Sequence, residues 1–333
     1  MITRNKWLGA VATLALLSAL ISACTPAAAP SATEAATQAA APAATEASTQ
    51  AAAPAATQAT SQMGTKDNPI VFVFVPSGDS GKVLTAGTAI TDKLTSLTGL
   101  VFKPEVPTSY AAAVEAMCGD KAQFGALNTF SYVLGAKKKC AQVTLVSIRN
   151  GSPTYTGQII TRADSGIKTI ADLKGKTFCR PDPNSTSGWI MPSLLIKAAG
   201  LDPNKDLASI KDSGGHPAVV KAVYNKECDA GATFGDARSS VQSDLPDVND
   251  KVVIIATTAA IPNDTVAAAP SVPADISAKV TQGLLDMTKD KDSLTLLTNL
   301  YGWTGLQKVD DTFYDPFRQF LQSAGVNIED FVQ

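Results

Sequence analysis

Apolar residues in this chain come in short bursts of two alternating kinds. Residues 70–75 are an unbroken β-branched and aromatic run, the pattern of a strand buried on both faces. Residues 82–97 follow, with Val83, Leu84, Ile90, Leu94 and Leu97 at helical spacing and Gly99 beyond them as a stop. The same grammar then repeats. It predicts strands near 101–102, 123–127, 143–148, 158–161, 177–179, 208–211, 230–233 and 252–256. Helices are predicted over 110–117, 129–138, 188–199 and 218–225, with a short helical turn at 170–173. The tail reads as mostly helical, over 274–287 and again over 312–324.

Such alternation argues for an α/β fold in which mixed, mostly parallel sheets are flanked by helices. The stretch from 67 to 333 is long for one core, so two lobes are expected. One would hold 67–157 plus 259–333 and the other 158–258, with crossovers near 158–161 and 252–257 as the hinge. Ligands of such folds sit beyond the carboxyl ends of the strands, here in the cleft between lobes.

The amino-terminal pattern differs. Arg4 and Lys6 precede an uncharged apolar run, 7–21, and then Ser22, Ala23 and Cys24. The run is too short for a stable membrane span and is flanked like an export signal, expected over 1–23. The string Ile21-Ser22-Ala23-Cys24 resembles the lipobox of bacterial lipoproteins. That resemblance implies lipidation of Cys24 and an anchor at the outer face of the cell membrane. Each buried methylene contributes about 0.8 kcal/mol, so two or three acyl chains anchor far better than one. From 24 to 66 Ala-Ala-Ala-Pro repeats among Thr, Ser, Glu and Gln, with almost nothing large and apolar to bury, which predicts a disordered tether.

Charge narrows the partners. Loss of 1–23 removes Arg4 and Lys6 and no acidic residue, moving the net charge from −2 to −4. Nothing in that balance suggests nucleic acid. An anion would have to be bound by local dipoles and not by the overall field. Cys118, Cys140, Cys179 and Cys228 remain after Cys24, an even number that suits disulfides outside the cytoplasm. Their positions at the edges of predicted elements favour Cys118–Cys140 and Cys179–Cys228, although three pairings, or free buried thiols, are open to the sequence. With one His and no CxxC, neither metal nor cofactor is expected.

The most informative string is Asp182-Pro183-Asn184-Ser185-Thr186-Ser187-Gly188-Trp189, which leaves a predicted strand and enters an apolar helix. Ser, Thr and Gly at a helix start leave N–H groups free and add hydroxyl donors. The helix dipole adds about half a positive charge there, making an anion site without Lys or Arg. One hydroxyl would suffice for ordinary capping, and three in a row favour a ligand site. Gly214-Gly215-His216-Pro217 and Ser109-Tyr110 open two other helices, and Tyr155 precedes the first crossover. The exit of the first strand, 76–80, is a further candidate for ligand contact.

The order Tyr110, Gly151-Ser152-Pro153-x-Tyr155, Asp182 to Gly188, Gly215-His216 and Ile261-Pro262-Asn263-Asp264 resembles the phosphate/phosphite/phosphonate-binding proteins of ABC importers, the PhnD-like family. The resemblance covers essentially all of 67–333. It implies a type 2 periplasmic-binding-protein fold, capture of a phosphorus oxyanion by hinge closure, and delivery to ABC permease and ATPase subunits by a monomeric receptor. The oxyanion contacts it implies are Tyr110, Tyr155, Ser185, Thr186, Ser187 and His216. Members that take aminoalkyl phosphonates add two carboxylates against the ligand amine. Asp264 matches one by motif, and Asp236 falls at the other by spacing, where capping of a local turn is the competing reading. Two other functions compete: a ligand-sensing subunit of a membrane signalling protein, and a hydrolase with Ser185 or Ser187 as nucleophile and His216 as base. No Gly-x-Ser-x-Gly elbow is present, so the chain is expected not to be an enzyme.

Overall fold

The computed structural model of the chain describes residues 63–328. The expected export signal, Cys24 and the tether through 62 lie outside the described residues.

The first apolar run forms β1, Ile70–Phe74, in which every residue but Val71 is buried. Helix α1, Ser80–Thr98, follows, with the Asp79 side chain accepting from the Lys82 N–H and Gly99 in the left-handed region closing it. Then come β2 (Phe102–Glu105), α2 (Tyr110–Cys118), β3 (Phe124–Leu127), α3 (Thr129–Lys137) and β4 (Gln142–Ile148). The chain crosses over through β5 (Thr154–Tyr155) into β6 (Gly157–Arg162), a 3-10 turn (Ile170–Leu173) and β7 (Thr177–Arg180). A π-helical turn (Thr186–Ile190) runs into α4 (Met191–Ala198), followed by β8 (Ser209–Asp212), α5 (His216–Tyr224) and β9 (Ala230–Phe234). A 3-10 turn (Ala237–Val241), α6 (Val248–Lys251) and β10 (Val252–Thr257) complete this half. The return passes through β11 (Ile261–Pro262) to β12 (Thr265–Ala268), α7 (Ala274–Met287), α8 (Lys291–Tyr301) and β13 (Gly305–Lys308). A final 3-10 turn (Asp311–Tyr314) leads into α9 (Asp315–Ser323).

Two main sheets result, a six-stranded one ordered β13-β4-β12-β3-β1-β2 and a five-stranded one ordered β10-β6-β9-β7-β8. They are mixed rather than mostly parallel. Strand pairs β1–β2, β1–β3, β7–β8 and β7–β9 are parallel, while the other five pairings in these sheets are antiparallel. The antiparallel pairings all involve strands next to the crossovers or in the returning tail, where the chain re-enters a sheet from the opposite direction. The segments expected to act as the hinge are β6 and β10, which pair with each other inside the five-stranded sheet. The crossing itself is made by the small β5–β11 ribbon, reinforced by Asn263 N–H donating to the Pro153 carbonyl (2.8 Å) and Gly157 N–H to Thr258 Oγ1 (2.8 Å).

The larger core cluster includes Phe72, Phe74, Phe124 and Phe130 and reaches Phe178 and Trp189 in the five-stranded half, and a smaller one gathers Ile160, Val219, Val220, Val223 and Val252. On α1 the buried stripe is Val83, Gly87, Ile90, Thr91, Leu94 and Thr98, whereas Leu84 and Leu97 face solvent. Gly87 sits where a Cβ would come within 2.8 Å of the Phe74 ring, so its lack of a side chain lets α1 lie close on the sheet. Both expected disulfides, Cys118–Cys140 and Cys179–Cys228, are formed. The first joins the end of α2 to the residues after α3, and the second joins β7 to the approach to β9. No described helix is long and apolar enough to cross a membrane.

Candidate functional site

A cavity of about 310 Å³ lies between the two sheets, lined by groups from both halves of the fold. The five-stranded half supplies two helix starts. At the π-helical turn, Ser185 is the cap, and its Oγ accepts from the Gly188 N–H at 3.1 Å. The N–H groups of Thr186 and Ser187, in the first turn, have no acceptor within their own helix. Gly188 is required for this shape. A Cβ there would lie 2.3 Å from Pro181 Cδ and 2.8 Å from Ser185 Oγ.

Thr186 is held in one state by its neighbours. Its Oγ1 accepts from Asn128 Nδ2 at 2.8 Å and from the Phe130 N–H at 2.9 Å. Both lone pairs are thus engaged, and its hydroxyl is left as a donor. Both neighbours belong to the six-stranded half, so this hydroxyl also joins the halves. Further bonds across the cleft run from Tyr110 N–H to Asp182 Oδ2 (3.1 Å), from His216 N–H to the Ser77 carbonyl (2.9 Å) and from Asn128 Nδ2 to the Asn184 carbonyl (2.9 Å).

His216 opens α5 and is buried. Its Nδ1 accepts from the Phe234 N–H at 3.2 Å, which leaves the proton on Nε2. Burial, and after it the charge of Arg149, pushes the imidazole pKa down to about 3, so the ring is neutral at pH 7. Nε2 lies 3.5 Å from Ser185 Oγ and already bears hydrogen. The imidazole is therefore a neutral donor aimed at the helix start and is in the wrong tautomer to act as a base for Ser185.

Tyr110 is buried, and its hydroxyl has no hydrogen-bond partner among the described residues. Burial, then the charges of Asp182 and Asp264, hold its pKa well above the usual phenol value, so it stays protonated. Burial and Asp264 likewise push Tyr155 up to about 12, against smaller lowering by the hydroxyls of Ser187 and Thr129. The site residues expected from sequence, Tyr110, Tyr155, Ser185, Thr186, Ser187, His216 and Asp264, all line this cavity, as do Ser77 and Gly78 from the exit of β1.

Asp236 does not. It caps the 3-10 turn after β9, accepting from the Arg238 N–H (3.0 Å) and from the Arg238 guanidinium (2.6 Å). A charged partner two residues away satisfies it locally, so it is absent from the cavity wall. Asp264 reaches the cavity already paired. Its Oδ2 accepts from Arg149 Nη2 and from Trp303 Nε1–H, the latter at 3.3 Å. Arg149, Asn128 and Tyr301 line the cavity without having been anticipated. Tyr301 donates to the Val75 carbonyl at 2.6 Å. Asn128 follows β3 and looks like an ordinary helix cap, but its side chain caps nothing and turns across the cleft.

In sequence, residues 72–314 match the family described as ABC transporter, phosphonate, periplasmic substrate-binding protein. The phosphate-import protein PhnD of Mycolicibacterium smegmatis is 26% identical over 175 residues, 50% of this chain and 54% of that one. The phosphonates-binding periplasmic protein of Escherichia coli is 24% identical over 225 residues, 65% of this chain and 66% of that one. The matches thus span about half to two thirds of these relatives. Among solved structures, the binding component of an ABC phosphonate transporter from Pseudomonas aeruginosa superposes with a TM-score of 0.71 at 21% identity, over 77% of this chain and 88% of that one. PhnD1 from Prochlorococcus marinus, solved with methylphosphonate, gives 0.68 at 16% identity, over 78% and 98%. The fold is therefore that of the periplasmic binding proteins, type 2, and the chain belongs to the family of periplasmic substrate-binding proteins of phosphonate ABC transporters.

Proposed function

We propose that this chain is the extracytoplasmic receptor of an ABC importer and captures a phosphonate, phosphite or related phosphorus oxyanion. One observation carries the reading: hydrogen-bond donors without protein acceptors converge on a single cavity. They are the Thr186 hydroxyl, the Tyr110 hydroxyl and the N–H groups that open the π-helical turn, joined by His216 Nε2–H, which has only the long 3.5 Å contact to Ser185 Oγ. Hydrogen bonds to an ionised oxygen are about twice as strong as neutral ones, and exclusion of water strengthens them further. The relatives named for phosphate import and for a methylphosphonate complex fit the same ligand class.

The wall also holds one acceptor in want of a donor. Asn128 Oδ1 is buried and has no partner among the described residues. Its amide cannot be reversed, because Nδ2 must donate to the Asn184 carbonyl. A singly protonated phosphonate or phosphate brings a P–O–H for it, whereas sulfate at neutral pH brings none. That difference supports selection of phosphorus over sulfur anions.

In the proposed cycle, 67–157 with 259–333 and 158–258 act as lobes that close on the ligand, flexing at the β5–β11 ribbon. Tyr110, Tyr155, Ser185, Thr186, Ser187 and His216 hold the oxyanion. Removal of 1–23 and lipidation of Cys24 anchor the receptor, and the 24–66 tether keeps it near the permease and ATPase as a monomer. The family consists of transport receptors rather than enzymes, and the tautomer of His216 agrees with binding without turnover. Calorimetry with phosphite, methylphosphonate, 2-aminoethylphosphonate, phosphate and sulfate tests the reading. The expected result is one-to-one binding of a phosphorus anion without product, with sulfate about 100-fold weaker or worse, the effect of about 3 kcal/mol expected for a charged partner left unpaired. Preference for sulfate, or binding of none of the phosphorus anions, overturns it.

A further inference from the structure

Arg149 is the only cationic side chain in the cavity wall among the described residues, and none of the oxyanion donors described above is hydrogen-bonded to it. Its guanidinium pairs with Asp264 and lies 5.5 Å from the centre of the Tyr155 ring and 5.8 Å from that of Phe234. Its Nε is buried and has no partner among the described residues. It therefore sits in the wall beside two aromatic rings, paired through Oδ2 of Asp264, the one carboxylate that lines the cavity among the described residues.

We infer that the Arg149–Asp264 pair makes this receptor select phosphonates whose organic substituent carries no positive charge, so that aminoalkyl phosphonates are excluded. The inference rests on the phosphorus-oxyanion reading above and goes further by naming the substituent. An ammonium group needs carboxylates free to receive it. Asp236 is outside the cavity on Arg238, and Asp264 Oδ2 is taken by Arg149 and Trp303, which leaves only Oδ1 of a carboxylate whose charge a guanidinium already balances. An entering ammonium would have to share Asp264 with a guanidinium in a site where low dielectric magnifies like-charge repulsion. Arg149 cannot relieve that repulsion by losing its proton.

There is room for the substituent to matter. Liquid water occupies about 30 Å³ per molecule, so a volume of about 310 Å³ holds on the order of ten non-hydrogen atoms. A tetrahedral head fills roughly half of that, leaving space for a short chain beside Arg149.

Propylphosphonate and 2-aminoethylphosphonate have the same heavy-atom skeleton and differ by methyl against ammonium. Calorimetric titration of the full chain is expected to show propylphosphonate binding at least about ten-fold tighter. Arg149→Met, which frees Asp264, is expected to move the ratio at least about ten-fold toward the amine, and Arg149→Lys to keep the wild-type preference. If Arg149→Met does not fold, Asp264→Asn replaces it. That change leaves the cation uncompensated and is expected to disfavour the amine further by about ten-fold. Equal affinities or an amine preference in the wild type overturn the inference, as does a ratio that neither Arg149→Met nor Asp264→Asn changes. Absence of binding by every phosphorus anion would fail the functional reading itself and take this inference with it.

Discussion

The two halves of the molecule face the cavity with different kinds of group. From the five-stranded half come hydroxyls and N–H groups at helix starts: Ser185, Thr186 and Ser187 at the π-helical turn and His216 at α5. From the six-stranded half come side chains whose chemistry depends on distant partners. Asn128 reaches across to Asn184 and Thr186, Arg149 pairs with Asp264, and Tyr301 is tied to Val75. The first set suits any tetrahedral anion, because it responds to negative oxygen alone. On the proposed reading the second set responds to what is attached to that anion and whether it carries a proton. On the proposed reading the five-stranded half supplies most of the grip, to which the six-stranded half adds the Tyr110 hydroxyl, and discrimination falls to the six-stranded half.

The division can be broken by experiment. Ser185→Ala with Thr186→Ala is expected to weaken every phosphorus ligand by about 100-fold or more, at roughly 1.5–3 kcal/mol for each hydrogen bond to a charged group. Calorimetry with methylphosphonate and propylphosphonate should return the same factor for both. A loss that varies with the substituent would show that the five-stranded half reads more than the head.

Two glycine replacements sharpen the contrast. Gly188→Ala drives a Cβ into Pro181 and Ser185, and Gly87→Ala drives one into Phe74. Each is expected to lower stability by about 2 kcal/mol, seen as a fall in the urea midpoint at constant m. Only Gly188→Ala should also weaken binding, since α1 carries none of the proposed ligand contacts.

His216 gives the five-stranded half a pH signature. Its folded pKa of about 3 lies below the value near 6.5 expected when unfolded. Between those values the unfolded chain takes up a proton that the folded chain refuses. Stability is therefore full above about pH 6.5 and falls as pH is lowered toward 3, by at most about 1.4 kcal/mol per unit from this one group. Between pH 7 and 5 the loss is about 2 kcal/mol. Denaturant titrations should show this component missing from His216→Gln, and equal slopes in the two proteins would refute the neutral buried ring.

Tyr110→Phe has the smallest expected effect and moves two observables in opposite directions. Without ligand, removal of an unpartnered buried hydroxyl should leave stability unchanged or raise it by up to about 1 kcal/mol. Ligand affinity should fall about ten-fold, because that hydroxyl is then missing from the oxyanion. A parallel loss of both would mean that Tyr110 serves the fold instead.

The same contrast governs what was legible in the sequence. The helix-start donors could be read because hydroxyls, glycine and the following apolar helix are contiguous, so a local string carries the chemistry. Arg149 could not, because its partner Asp264 lies 115 positions away and nothing near either residue marks the pair. For Asp236 spacing points to the ligand and local sequence to a turn cap, and the arginine two positions on holds it in the cap. Among the elements, α8 is not legible because Leu294, Leu297 and Leu300 stand among Thr and Asn residues that blur the stripe. Strand β12 is four small or β-branched residues buried on both faces, too short to show a period. Strand direction is a property of tertiary assembly, so the antiparallel half of the pairings left no local trace.

Tyr155 belongs to β5, one strand of the ribbon that carries the chain from one sheet to the other. Its phenol therefore rides on the fulcrum rather than on either arm. In the proposed cycle a change in the angle between the lobes swings that ring against the bound anion, and the bound anion in turn biases the angle. In the proposed cycle occupancy and shape are thus geared together at the pivot, so a permease that senses only the receptor's outline also senses its cargo.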